Sequence, residues 1–126
     1  IPQYINMARS KGVAGYVGEG ANRWPAVHVK DAATLFRLAV EKAPAGSRLN
    51  AVGDEGVPTR EVAEAVGRGL HVPAKSLTAG DYEGMPMSVL MTTDMAASSA
   101  LTQQLMGWTP THPGLIADLD AGHYFV

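Results

Sequence analysis

Residues 22–33, Asn-Arg-Trp-Pro-Ala-Val-His-Val-Lys-Asp-Ala-Ala, constrain the fold of this chain more than any other stretch. A polar elbow, a short extended segment and a helix start follow one another there without a break. The spacing predicts a strand over 26–29, with Val27 and Val29 on one face and His28 on the other, because side chains alternate along extended backbone. Asp31 then stands where a short acceptor can cap a helix that begins at Ala32. A polar loop that delivers side chains to the end of a strand reads as the edge of a site.

Beyond this run, Ala32, Leu35, Phe36, Ala39 and Val40 recur at the spacing of one helical face. They predict a helix over 31–43 with that face inward, stopped by Pro44 and Gly46. Leu49, Ala51 and Val52 suggest a strand over 48–53, followed by a turn at Asp54-Glu55-Gly56 that delivers Thr59 as the cap of a helix over 59–70. Val62, Ala63 and Val66 form the inner face of that helix, and Glu61 and Glu64 in its first turns favour its dipole. Upstream, the pattern gives a helix over 2–10, a strand over 13–17 and a polar loop over 18–25. Downstream, a helix over 98–106 carries Leu101 and Leu105 one turn apart, and Pro113 opens a last helix through Leu115, Ile116 and Leu119, ended by Gly122.

Between them, residues 78–93 hold no period, with Gly80, Gly84 and Pro86 among Met85, Met87 and Met91. Flexible thioethers suit a substrate lid, and they suit equally a loop packed against a further part of the protein. Gly12, Gly15 and Gly18 spell a Gly-x-x-Gly-x-x-Gly. A phosphate role needs a strand before the glycines and a helix N-terminus after them. Here a helix precedes and none opens at Gly18, so they read as turn residues flanking a short strand.

The 126 residues amount to one domain, and 46% hydrophobic content suffices for a core. A net charge of −2 supplies no basic patch, so nucleic acid is not an expected partner. No apolar run approaches the roughly 20 residues of a membrane span. The absence of cysteine excludes disulfides and thiolate metal sites and fits a cytoplasmic location.

With Gly18-Glu19-Gly20 upstream and Leu105-Met106-Gly107-Trp108-Thr109-Pro110 downstream, the 22–33 run resembles the C-terminal portion of extended or atypical short-chain dehydrogenase/reductases, the NAD-dependent epimerase/dehydratase group. In that family an Arg-aromatic-x-x-His/Ile-Val-x-Asp segment leads from the nucleotide-binding core into the substrate lobe, and a Leu-Gly-Trp-x-Pro closes the chain, here with Met106 inserted. The resemblance spans about residues 1–125 as an ordered set of segments. It implies an α/β or α+β fold, the substrate-side lobe of a Rossmann-type enzyme over 1–126. NAD or NADP would be held by a dinucleotide-binding part absent from this chain, with a small carbonyl or hydroxyl compound as substrate. It also implies a partner surface for that missing half, or for a second copy. A non-catalytic binding or oligomerisation module is the alternative.

The family's catalytic Tyr-x-x-x-Lys has no counterpart: Tyr4, Tyr16 and Tyr82 are followed four residues on by Ala8, Gly20 and Pro86, and Tyr124 is terminal. No catalytic, cofactor-binding or metal-binding residue is therefore assigned. The substrate-binding candidates are Asn22, Arg23, Trp24 and His28. Arg23 resembles an arginine that reaches substrate phosphates in nucleotide-sugar members, and a guanidinium can bind an oxyanion with two hydrogen bonds. It can equally brace its own loop. The second arginine that such members carry is missing, since none follows Arg68, which departs from a diphosphate-linked sugar. Trp24 can wall a pocket or pack at a junction. His28 has no partner at metal spacing except Asp31 and reads as structural or substrate-facing, Trp108 as a core plug, and His112 and His123 as exposed terminal residues.

Overall fold

Helix α1 (Pro2–Lys11) begins the fold in a computed structural model that describes residues 1–126. Proline in the first turn loses no needed donor, Arg9 and Lys11 complement the dipole at the far end, and Gly12 closes the helix in the left-handed conformation (φ 66°). Strand β1 (Ala14–Val17) follows and pairs in parallel with β4 (Ala74–Leu77), Ala14 opposite Ala74 and Val17 opposite Leu77. A parallel pair needs a crossover, and α3 (Thr59–Leu70), which packs on both strands, forms part of it. Val62, Ala63, Ala65 and Val66 of α3 bury against Tyr4, Ile5 and Ala8 of α1 and against Leu119 of α6 (Leu115–Asp120), forming the main core.

A second pair of strands, β2 (Arg23–Ala26) and β3 (Asp54–Pro58), runs antiparallel, with Trp24 opposite Val57. The register breaks between Trp24 and Ala26, where Pro25 has no N–H to give to a ladder. Between these strands lies α2 (Val29–Lys42), which packs on α5 (Ala100–Met106) around a small core of Leu35, Met106 and Trp108. This is a mixed α/β fold of six α-helices and two short strand pairs. No helix is long and apolar enough to cross a membrane.

Several boundaries differ from the sequence expectation. The strand expected over 26–29 lies three residues earlier, because its partner β3 faces Arg23, Trp24 and Ala26. His28, not Asp31, caps α2: its backbone is extended and its Nδ1 accepts the N–H of Lys30. Residues 48–53 form no strand. Asn50 N–H donates to Thr102 Oγ1 and the Val52 carbonyl accepts from Ser99 Oγ, so side chains occupy positions a ladder would use. The expected turn at 54–56 is part of β3. Thr59 is the first residue of α3 rather than its cap, and its hydroxyl donates to Asn22 Oδ1.

Helix periodicity also overstates burial on α2 and α5. Leu35 is buried, whereas Phe36 and Val40 are 70% and 89% exposed, and on α5 Leu101 faces outward while Thr102 and Met106 turn inward. The unpatterned 78–93 stretch contains a 3₁₀ turn (Ala79–Tyr82) and α4 (Ser88–Thr92), and it puts Tyr82, Met87 and Met91 into the main core. Its methionines are largely packing residues, although Met87 and Leu90 also reach the cavity described below. Gly12 and Gly18 are left-handed turn residues at either end of β1, and Gly15 lies within it.

Candidate functional site

Where β2 leaves its sheet and the chain enters α2, a cavity of about 900 Å³ opens between this elbow and the C-terminal helix α6. Its size falls in the range of small-molecule sites. Trp24, Pro25, Met87, Leu90 and Leu115 give it apolar walls, and His28, His112, Asp118, His123 and Tyr124 give it a polar one. Lys30 is its sole lysine or arginine side chain.

Trp24 is positioned twice over. It stands edge-on to Tyr4, with ring centroids 5.8 Å apart, and its Nε1–H donates to the Leu90 carbonyl at 2.6 Å. The indole is thus both a core residue and a cavity wall. His28 reaches the cavity because it caps α2, which fixes its ring across the helix start. Its Nδ1 accepts from Lys30 N–H at 3.1 Å, so the neutral ring carries its proton on Nε2, which lies 3.7 Å from Asp118 Oδ1. Asp118 Oδ2 accepts the Tyr124 hydroxyl at 2.7 Å, and this hydrogen bond holds the Tyr124 phenol above its ordinary pKa. His123 Nε2 stands 3.8 Å from Asp118 Oδ1.

Asp31 organises the other half of the polar wall. Its carboxylate accepts from Thr111 N–H at 3.1 Å and His112 N–H at 2.9 Å, and its Oδ1 lies 2.7 Å from His112 Nδ1. Burial alone would push this carboxyl up, but the hydrogen bonds from the His112 ring and from the His112 and Thr111 backbone outweigh it and hold the pKa at about 2. A carboxylate without a proton can only accept, so Nδ1 of His112 is the donor. Three residues before Thr111 in the same clasp, Trp108 Nε1–H donates to the Asp31 carbonyl at 3.0 Å. The His112 ring lies stacked on His28, centroids 4.7 Å apart and planes 18° from parallel.

Of the four residues picked from the sequence, Trp24 and His28 line the cavity and Asn22 and Arg23 do not. Asn22 stands behind it: its amide donates to the carbonyls of Leu90, Met91 and Thr93, which ties the 90–93 segment to the start of α3 through Thr59. Arg23 forms a two-pronged pair with Asp94, Nε to Oδ1 at 3.0 Å and Nη2 to Oδ2 at 2.9 Å, and this pair holds the Asp94 carboxyl below its ordinary pKa. Both partners are half exposed. Arg23→Ala is expected to leave ligand binding in the cavity unchanged and to speed amide exchange at Met95, whose N–H bonds the Arg23 carbonyl. Hydrogen-exchange mass spectrometry beside a toluene titration checks both parts.

His112, Asp118, His123 and Tyr124 carry no site signal in the sequence, lying some ninety residues from the elbow they meet. The one local signal is Pro110 and Pro113 bracketing His112, which stiffens the segment after Trp108. These histidines and carboxylates do not form a group that could hold a metal ion.

No protein-family profile matches the chain. It is 46% identical over 128 residues to an uncharacterised protein of Schizosaccharomyces pombe, covering 99% of this chain and 43% of that protein. It is 38% identical over 125 residues to an uncharacterised protein of Saccharomyces cerevisiae, covering 98% and 42%. The chain therefore spans less than half the length of these curated relatives. Among solved structures, dTDP-glucose 4,6-dehydratase of Streptomyces venezuelae, determined with NAD and TYD bound, matches with a TM-score of 0.70 at 17% identity, over 99% of this chain and 36% of that one. Pal of Bacillus thuringiensis matches at 0.64 and 19% identity, over 95% and 37%. At such identities the likeness shows the fold: an α/β arrangement like the C-terminal region of a Rossmann-type short-chain dehydrogenase/reductase.

Proposed function

We propose that this chain is the substrate-side lobe of an NAD(P)-dependent oxidoreductase or epimerase-like enzyme acting on a small carbonyl or hydroxyl compound. The observation that carries the proposal is the cavity between the β2–α2 elbow and α6, in a fold that matches about a third of a dehydratase solved with NAD. In this reading Trp24 and His28 touch the substrate, and Asn22 and Arg23 hold the loop from which they project. The dinucleotide and the acid/base residues of hydride chemistry belong to a part of the protein outside residues 1–126. With Lys30 the sole lysine or arginine at the cavity, a substrate diphosphate would lack the clustered guanidinium groups that suit it, so an uncharged compound fits better.

Calorimetric titration with NAD and NADP tests the division of labour. The 126-residue chain is expected to show no micromolar binding, and the full-length Schizosaccharomyces pombe relative is expected to bind one of the two. Micromolar binding by the chain, or none by the relative, would overturn the reading.

The exposed Phe36 and Val40 of α2 and Leu101 and Leu105 of α5, two helices packed on each other, support a second reading as an oligomerisation module. A concentration-dependent dimer in light scattering, lost in Phe36→Lys, together with no cofactor binding by the relative, would favour it.

A further inference from the structure

We infer that His112 is the cavity's acceptor for a ligand hydroxyl, and that the site therefore favours an alcohol over the corresponding hydrocarbon or carboxylate. This rests on the cavity being the substrate site. The argument runs through the two ring nitrogens. Asp31 is ionised and buried, so it accepts a hydrogen bond from His112 Nδ1–H and locks the ring orientation. In the neutral ring Nε2 then carries a bare lone pair, and no group of the protein donates to it. The ring itself lines the cavity.

A bare acceptor selects its ligand by what it can receive. An alcohol O–H can donate to it; a ketone, an aldehyde or a carboxylate has no proton to offer. The stacked neighbour, His28, has its Nε2 3.7 Å from Asp118 Oδ1, and Lys30, the lysine of the lining, is solvent-exposed. Apolar walls from Trp24, Met87 and Leu90 favour a ligand whose hydroxyl is attached to a hydrocarbon body. The ligand class is thus an uncharged, partly apolar alcohol. Asp31 is a positioning residue in this scheme, acting through the tautomer of His112, much as a carboxylate orients an imidazole in other acid/base pairs.

The test uses benzyl alcohol, toluene and benzoate as probes on the full chain at pH 8, above the ordinary imidazole range near 6.5. Imidazole nitrogen NMR reads the His112 Nε2 signal, and chemical-shift titration reads affinity. Benzyl alcohol is expected to bind about three- to tenfold more tightly than toluene, the effect of one hydrogen bond, and to move the Nε2 signal. His112→Asn keeps an N–H for Asp31 but removes the cavity nitrogen, and is expected to erase that preference while toluene still binds. Should His112→Asn fail to fold, the Nε2 shift of the parent protein decides alone. Equal binding of toluene and benzyl alcohol with a still Nε2 signal, or tightest binding by benzoate, overturns the inference and leaves the cavity as a site. Failure of all three probes to bind overturns both.

Discussion

Asp31→Ala is expected to lower stability by about 3 to 5 kcal/mol, the loss that follows when one partner of a buried, charged hydrogen-bond cluster is removed. The side chain is 4% exposed, and its removal leaves the Thr111 and His112 N–H groups and the His112 ring proton without their acceptor. The clasp that brings Trp108 onto α2 loosens with it, since that indole bonds the carbonyl of the same residue. Asp31→Asn should be milder but still destabilising: one amide oxygen can accept, and the amide N–H₂ meets a donor. Urea denaturation at pH 7 measures both. A shift of the Asp31→Ala midpoint equivalent to less than about 1 kcal/mol would mean that water replaces the carboxylate and that the clasp stands without it.

The same group sets an acid limit. A folded-state pKa of about 2 against an ordinary 3.8 means that ionised Asp31 stabilises the fold. That contribution, about 2 kcal/mol from the size of the shift, is fully present above about pH 4 and fades as pH falls toward 2. The parent protein should therefore lose stability over that window more steeply than Asp31→Asn, which has no carboxyl to protonate.

The elbow departs from its sequence pattern because of the same contacts. A short acceptor beside an alanine run is the local signature of a helix cap, and nothing local reveals that the Asp31 carboxylate is needed 81 residues away by His112. His28 took the capping role since its ring can reach the Lys30 N–H, a use of histidine that strand alternation hides. Helix α3 was legible to its ends because Val62, Ala63 and Val66 make a dense inner face and its burial is decided within the chain. On α2 an equally regular pattern predicts burial of Phe36 and Val40, which are exposed, because periodicity records which face is apolar and says nothing of what covers it. The strand expected over 48–53 failed for a related reason: β-propensity describes one side of a ladder, and within these residues Thr102 and Ser99 side chains meet it instead of a strand. The polar wall was invisible because its parts, His28 with His112, Asp118 and His123, converge only through the Asp31 clasp and the docking of α6 on α3.

Trp24→Ala is expected to destabilise the protein by about 3 to 5 kcal/mol and to abolish toluene binding in the cavity, whereas Trp24→Phe should cost about 1 to 2 kcal/mol and keep it. The first figure follows from deleting a large side chain that is 8% exposed and packs edge-on to Tyr4, in a place where Pro25 restrains the backbone from collapsing into the gap. The second follows from losing the Nε1–H bond to the Leu90 carbonyl while most of the apolar contact survives. That bond also sets the cavity's far wall, because Leu90 is drawn to the elbow by Trp24 and Asn22 together. Stability is read from urea denaturation followed by the remaining Trp108 fluorescence, and binding from a toluene titration. If Trp24→Phe binds as the parent does while Trp24→Ala folds but does not bind, the indole serves as an apolar wall, and the elbow's contribution to recognition is shape. If Trp24→Phe also loses binding while keeping its midpoint, the position of Leu90 decides the cavity, and the hydrogen bond from the indole is what holds the site open.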